Sequence, residues 1–228
     1  GSLQSYVLGL EVVLADGTIL DMTRAHLKDN MGFPIKSLFV GAEGCLGIIT
    51  KCVVKVVDKP RHSASAIMIV NSSDSSGANV ARVLQQAKVG LGGALGAFEI
   101  FDSTCFDAVC EAAPEMSSKF DFMRDKRKGK FILIQYSSAS DLGNDFENLI
   151  MQMIESSAVH EDVILSQNQN QESAMWALRE HIPVSLMTLS RRNKGRLFKF
   201  DISLPLMEMD SSINFVINEL VREGYNVE

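Results

Sequence analysis

Gly41-Ala42-Glu43-Gly44-Cys45-Leu46-Gly47 carries a glycine at every third position. Closely spaced glycines let backbone approach a ligand and aim N–H groups at an anion such as a diphosphate. The segment is not a GxGxxG loop, and Ile48-Ile49-Thr50 behind it opens a strand. Dinucleotide and Walker loops instead open a helix whose N-terminus holds the phosphates. On spacing alone two readings stand, an anion-binding loop or a tight turn between elements of a sheet. A second cluster, Gly90-Leu91-Gly92-Gly93-Ala94-Leu95-Gly96, follows a helical pattern and precedes a strand-like one, the order of a connector. Cys45, Cys52, Cys105 and Cys110 contain no CxxC pair, and His26, His62, His160 and His181 lie far from them in sequence, so no zinc spacing exists. Cys105 and Cys110 fall roughly 140° apart around one helix. They read as small buried residues rather than a redox pair. Arg124-Asp125-Lys126-Arg127-Lys128-Gly129-Lys130 has no interleaved aromatic to stack on a base and reads as a solvated loop.

These residues need elements to hold them. Apolar runs at 6–14 and 18–22 flank Asp16-Gly17, a hairpin signal, and 48–57 is a β-branched run that stops before Pro60. Lys59-Pro60-Arg61-His62-Ser63 reads as a linker, which divides the chain into residues 1–59 and 60–228. Beyond it strands and amphipathic helices alternate. Strands are expected at 66–70, 97–101, 131–137, 163–166 and 197–204. Helices are expected along Val80, Val83, Leu84 and Ala87, ended by Gly90; over 103–112; along Phe146, Leu149, Ile150, Met153 and Ile154; and over 171–188. A last helix along Ile213, Val216, Ile217 and Leu220 takes Asp210 or Ser211 as N-cap and closes at Gly224. The pattern predicts an α+β or α/β layer, a sheet with helices on one face.

The composition fits such a layer. The chain has 228 residues, 46% hydrophobic and 22% charged, with a net charge of −6. That excludes the disordered and disulfide-scaffold classes and leaves no basic footprint for nucleic acid. No apolar run approaches the roughly 18 residues of a membrane-spanning helix. Strand-like residues at the very start, and a strand opening at Tyr225-Asn226-Val227 abandoned after the last helix, make a fragment the expectation.

Three stretches in the first part resemble the FAD-binding domain of the vanillyl-alcohol-oxidase (PCMH-type) flavoprotein superfamily: Val7-Leu8-Gly9-Leu10-Glu11-Val12-Val13-Leu14-Ala15-Asp16-Gly17-Thr18, Leu27-Lys28-Asp29-Asn30-Met31-Gly32-Phe33, and Leu38 through Thr50 around the glycine segment. Downstream, Trp176-Ala177-Leu178-Arg179-Glu180 and Phe198-Lys199-Phe200-Asp201-Ile202-Ser203-Leu204-Pro205 resemble the cap domain of its D-2-hydroxyacid dehydrogenase branch, which holds D-lactate and D-2-hydroxyglutarate dehydrogenases and proteins named actin-interacting.

The resemblance implies an α+β fold: the C-terminal part of a PCMH-type FAD-binding domain in 1–59, then a ferredoxin-like FAD-oxidase cap with an antiparallel sheet in 60–228. It implies FAD contacts at Ala42, Glu43, Cys45, Gly47, Ile48 and Ile49, with Asn30, Met31 and Gly32 nearby. Cys45 and Met31 stand where threonine is common, and Cys45 is expected to offer its backbone N–H instead of a hydroxyl. Arg179 and Lys199 match an arginine and a lysine that hold the carboxylates of a small anionic D-2-hydroxy acid; Pro183 stands where relatives place a threonine. Read as ordinary surface residues, Arg179 would pair with Glu180 or Glu172, Lys199 would solubilise an edge strand, and His181 would lie on the helix surface. The catalytic base and a divalent metal such as zinc, with its histidine ligands, are implied outside this chain. Hydride transfer to flavin in a mitochondrial or cytoplasmic enzyme is the activity implied, and a chain of this extent is expected to bind FAD poorly alone. An actin-interacting module without flavin activity is the alternative.

Overall fold

Ala15-Asp16-Gly17 closes the first hairpin: Leu14 N–H donates to Thr18 O at 2.9 Å and Gly17 N–H to Leu14 O at 3.0 Å. Asp16 accepts from Thr18 N–H at 2.9 Å, and Gly17 has φ +85°, a left-handed position open to glycine. The turn joins β1 (Val7–Val13) to β2 (Ile19–Met22), and β3 (Ile48–Val54) pairs antiparallel with the other side of β1, giving the order β2-β1-β3. The structure is a computed structural model that describes residues 3–30, 32–71, 78–118, 120, 129–205 and 208–225. Its contacts divide the chain into two units, Gly1–Lys59 and Pro60–Glu228.

In the first unit a small core of Val7, Leu10, Val12 and Phe39 lies between β1 and the short helix α1 (Lys36–Phe39). Lys36 Nζ donates to Leu8 O at 2.9 Å and ties that helix to β1. β3 is covered on neither face along most of its length, with Ile48 62% and Val54 46% exposed.

The second unit is built on a four-stranded antiparallel sheet in the order β5-β6-β4-β7, from β4 (His62–Val70), β5 (Leu95–Asp102), β6 (Lys130–Ser138) and β7 (Val159–Leu165). Numbered within the unit, the order is that of a ferredoxin-like βαββαβ sheet, with α2 (Ala78–Leu91) and α5 (Gly143–Glu155) as its two crossovers. These pack on Ala66, Met68, Val70, Ile132, Ile134 and Tyr136, where Tyr136 and Phe146 meet edge to face at 5.2 Å. The opposite face, with Ile67, Ile69, Phe101, Phe131 and Leu133, is covered by α3 (Ser103–Ala112), α4 (Pro114–Ser117) and α6 (Gln169–Arg192). Helices on one face were expected; they cover both. The reason is visible in β6, where Phe131-Ile132-Leu133-Ile134 is buried without alternation, as a strand must be when neither face meets water.

Several boundaries move. β4 starts at His62, inside the expected linker. α2 runs through Gly90, where a Cβ would come within 2.8 Å of Leu149 Cδ1, so that glycine lets α2 and α5 close together rather than stopping the helix. The expected strand at 197–204 is not one: residues 195–205 are exposed and pair with no strand among the described residues. The last helix, α7 (Met209–Arg222), starts ahead of the expected caps, and Ser211 Oγ donates to Glu208 O at 2.9 Å instead of capping it. Phe200, Ile202 and Leu204 line a groove of about 590 Å³ against Ile213, Val216 and Ile217 of α7. No helix among the described residues is long and apolar enough to cross a membrane.

Candidate functional site

In the first unit the glycine segment is an exposed loop leading into β3. Gly41 (φ +86°), Glu43 (φ +51°) and Gly44 (φ +80°) are left-handed. A Cβ on Gly41 would meet nothing within 4 Å, and one on Gly44 would meet only Ile48 Cδ1 at 3.8 Å, so both face open space. Gly47 differs. A Cβ there would lie 2.7 Å from Val12 Cγ1 and 2.9 Å from Val13 O, so its role is close packing on β1.

Among the N–H groups, Ala42 donates to Phe39 O at 3.2 Å and Cys45 to Ala42 O at 2.9 Å. The Cys45 N–H expected to reach a ligand is therefore committed to the turn. Glu43 and Gly44 keep N–H groups that no other backbone carbonyl takes among the described residues, side by side at the centre of the turn that Cys45 N–H closes on Ala42 O. Those two N–H groups are donors that a diphosphate could take. Ile48 and Ile49 follow as the first residues of β3, paired with Val13 and Val12. Asn30 and Gly32 are exposed, Gly32 left-handed at φ +72°, and among the described residues no hydrogen bond joins them to the loop; Met31 lies outside those residues.

In the second unit the face under α6 changes character along the strands. Side chains two apart on a strand share a face. Ile67 and Ile69 therefore continue into Ser65 and Ser63 on β4, Leu133 into Gln135 on β6, and Phe101 into Glu99 on β5. A polar strip thus extends the apolar core. Glu172, only 8% exposed, lies on it: its Oε2 accepts from Ser63 Oγ at 2.8 Å, and its Oε1 accepts from Ser65 Oγ at 3.0 Å and Gln135 Nε2 at 2.9 Å. One turn on, Trp176 Nε1 donates to Ser65 Oγ at 3.2 Å. Ser65 also exchanges backbone hydrogen bonds with Ser166, N–H to Ser166 Oγ and O from Ser166 N–H, both at 2.9 Å. With three donors on its carboxylate, Glu172 is an anchor for α6; deleting it would leave the buried Ser65 hydroxyl without its acceptor, at about 1–3 kcal/mol.

Arg179 ends this row of side chains. Its Nε and Nη2 donate to Glu99 Oε2 at 3.0 and 2.8 Å, with both side chains about a third exposed. Its partner is thus neither Glu180 nor Glu172. Pro183 follows within α6, exposed, and having no N–H it leaves the Arg179 carbonyl without its helical donor. His181 is half-buried and makes no hydrogen bond among the described residues. Lys199 is exposed on the extended segment 195–205, and among the described residues no shared partner joins it to Arg179.

Cys105 and Cys110 are free thiols partly packed in the core under α3 and α6. Burial, and then the nearby Asp102 carboxylate, pushes the Cys105 thiol up to about 11. Among the described residues no group of three or more His, Cys, Asp or Glu is placed to hold a metal ion. Arg124 through Lys128 lie outside the described residues. Sequence reasoning missed Glu99, Ser63, Ser65 and Gln135. The usable signal was strand parity, since each sits in phase with buried apolar positions.

The chain is 35% identical over 221 residues to mitochondrial D-2-hydroxyglutarate dehydrogenase of Arabidopsis thaliana, covering 94% of this chain and 36% of that protein. It is 34% identical to the mitochondrial enzyme of the same name from Rattus norvegicus, covering 90% of this chain and 36% of the relative. It thus spans about a third of the length of these relatives. Among solved structures, an alkyldihydroxyacetonephosphate synthase matches with a TM-score of 0.58 at 17% identity, over 83% of this chain and 34% of that one, a likeness of fold. Residues 59–227, a span that contains the whole sheet of the second unit with Glu99 and Arg179, match the family model of FAD linked oxidases, C-terminal domain, and the chain belongs to that family.

Proposed function

We propose that this chain works within an FAD-dependent dehydrogenase of D-2-hydroxy acids, with residues 1–59 contributing the latter part of the FAD-binding domain and 60–228 the substrate-facing cap. The observation that carries the reading is Arg179: a partly exposed guanidinium fixed at the end of a polar strip, in a domain of the FAD-linked oxidase family. FAD, when bound, supplies the acceptor for a hydride from the α-carbon of the hydroxy acid.

Around that chemistry the chain binds and orients. The N–H groups of Glu43 and Gly44 receive the diphosphate, with Ala42, Cys45, Gly47, Ile48 and Ile49 shaping the loop and Asn30, Met31 and Gly32 on the neighbouring segment. Arg179 grips the substrate carboxylate through two N–H bonds, and Lys199 adds a point charge. Pro183 has no hydroxyl to offer a second carboxylate one turn on, so D-2-hydroxyglutarate and D-lactate are both substrates to compare. The mitochondrial names of the relatives make a mitochondrial protein part of the proposal.

In the complete FAD-loaded protein, Arg179→Ala and Lys199→Ala each raise KM for a D-2-hydroxy acid by roughly 10–100-fold, the value of one charge-assisted hydrogen bond, with a smaller change in kcat. Wild-type KM in both variants sinks the assignment.

A further inference from the structure

Both hydrogen bonds from Arg179 to Glu99 end on one oxygen, Oε2, and leave from Nε and Nη2. A guanidinium has five N–H bonds, and those two lie along its side edge. Of the other three, one on Nη1 and one on Nη2 form the end fork that matches a carboxylate bidentately, and the second on Nη1 points back along the Cδ side. Among the described residues no acceptor takes them.

A carboxylate competing for that fork would bridge Nη1 and Nη2; Glu99 does not. It approaches from the side and from a firm base, since β5 pairs with β6 from Leu95 to Asp102 and Glu99 stands opposite Leu133 in that ladder. On the other side, Glu172 and Trp176 pin the two preceding turns of α6 to β4 and β6. Helix and strand are therefore both fixed, and the Arg179–Glu99 pair sets the last freedom, the plane of the guanidinium.

We infer that Glu99 is a positioning residue for Arg179: it holds the side edge so that the end fork is presented to the carboxylate of the hydroxy acid. The inference rests on the substrate-binding reading of Arg179 given above. Glu99 touches no substrate. Its negative charge slightly opposes an anion, so its contribution is the orientation it imposes.

The test is steady-state kinetics with D-2-hydroxyglutarate and D-lactate in the complete FAD-loaded protein, for Glu99→Ala, Glu99→Gln, Arg179→Ala and the double variant Arg179→Ala/Glu99→Ala. Glu99→Ala is expected to raise KM about tenfold while kcat changes less than about threefold. Glu99→Gln recovers most of that loss, because its amide oxygen still accepts from Nε and Nη2. The double variant is no worse than Arg179→Ala, because Glu99 acts only through Arg179. An unchanged KM in Glu99→Ala makes Glu99 a bystander and overturns the inference; a lowered KM makes it a competitor and does the same. So does a double variant in which the two losses add. If Glu99→Ala does not fold, Glu99→Asp carries the readout, since a carboxylate one methylene short cannot hold the side edge: a raised KM supports positioning and a wild-type KM overturns it. Failure of the underlying reading is seen separately, as a wild-type KM in Arg179→Ala.

Discussion

Cys105 shows how local surroundings set the chemistry of one residue. Its backbone N–H donates to the Asp102 carboxylate that caps α3, while its thiol is turned into the core and raised from an ordinary value near 9.0 to about 11. Between those values the unfolded thiol ionises and the folded one does not. Stability is therefore fully present below about pH 9 and falls as pH rises toward 11, the sign expected when the folded state binds more protons. Alkylation at pH 8 should label the exposed Cys45 and Cys52 long before Cys105, and mass mapping of the labelled peptides checks the order. At this scale the sequence was partly legible. Cys105 and Cys110 were expected as small buried residues and are half-buried against the core, whereas the partner of Arg179 was not foreseen. Glu99 lies 80 residues away in sequence, and nothing local to Arg179 distinguishes it from Glu172 or Glu180.

Elements follow the same division. α3 occupies the residues its periodicity marks, because Asp102 caps it and Phe106 and Val109 share one buried side. The segment 197–204 has the composition of a strand, but a strand exists only where it pairs with another, and it pairs with none among the described residues. The glycine segment holds two different kinds of glycine that spacing alone could not separate. Gly41→Ala meets open space and pays only for left-handed backbone, about 1 kcal/mol. Gly47→Ala drives a methyl against Val12 and the Val13 carbonyl, costing about 2–3 kcal/mol as overpacking against backbone. Chemical denaturation of the two variants checks the order; equal losses would show that Gly47 does not pack on β1 as described.

Across the whole chain the sequence marked a change of character near Pro60, and the contacts of the structure divide there. The continuous apolar run in β6 also held the information that both sheet faces are covered, although alternation of strands and helices was read as covering one. The first unit is otherwise built. Three strands and one short helix enclose a core of Val7, Leu10, Val12 and Phe39, and β3 forms the margin of that sheet, paired on its outer side with no strand among the described residues. Such a margin has a colloidal consequence. A strand that is apolar, uncovered and unpaired on one side is a template for any other chain, including another molecule of the same kind. The isolated chain should scatter light increasingly with concentration. Val54→Lys, which places a charge on a side chain already 46% exposed, should raise the concentration at which scattering begins. In the second unit the most buried strands, β4 and β6, lie at the centre of the sheet, so the charge on β3 removes only the scattering that strand addition drives and leaves what the exposed Phe200, Ile202 and Phe215 contribute.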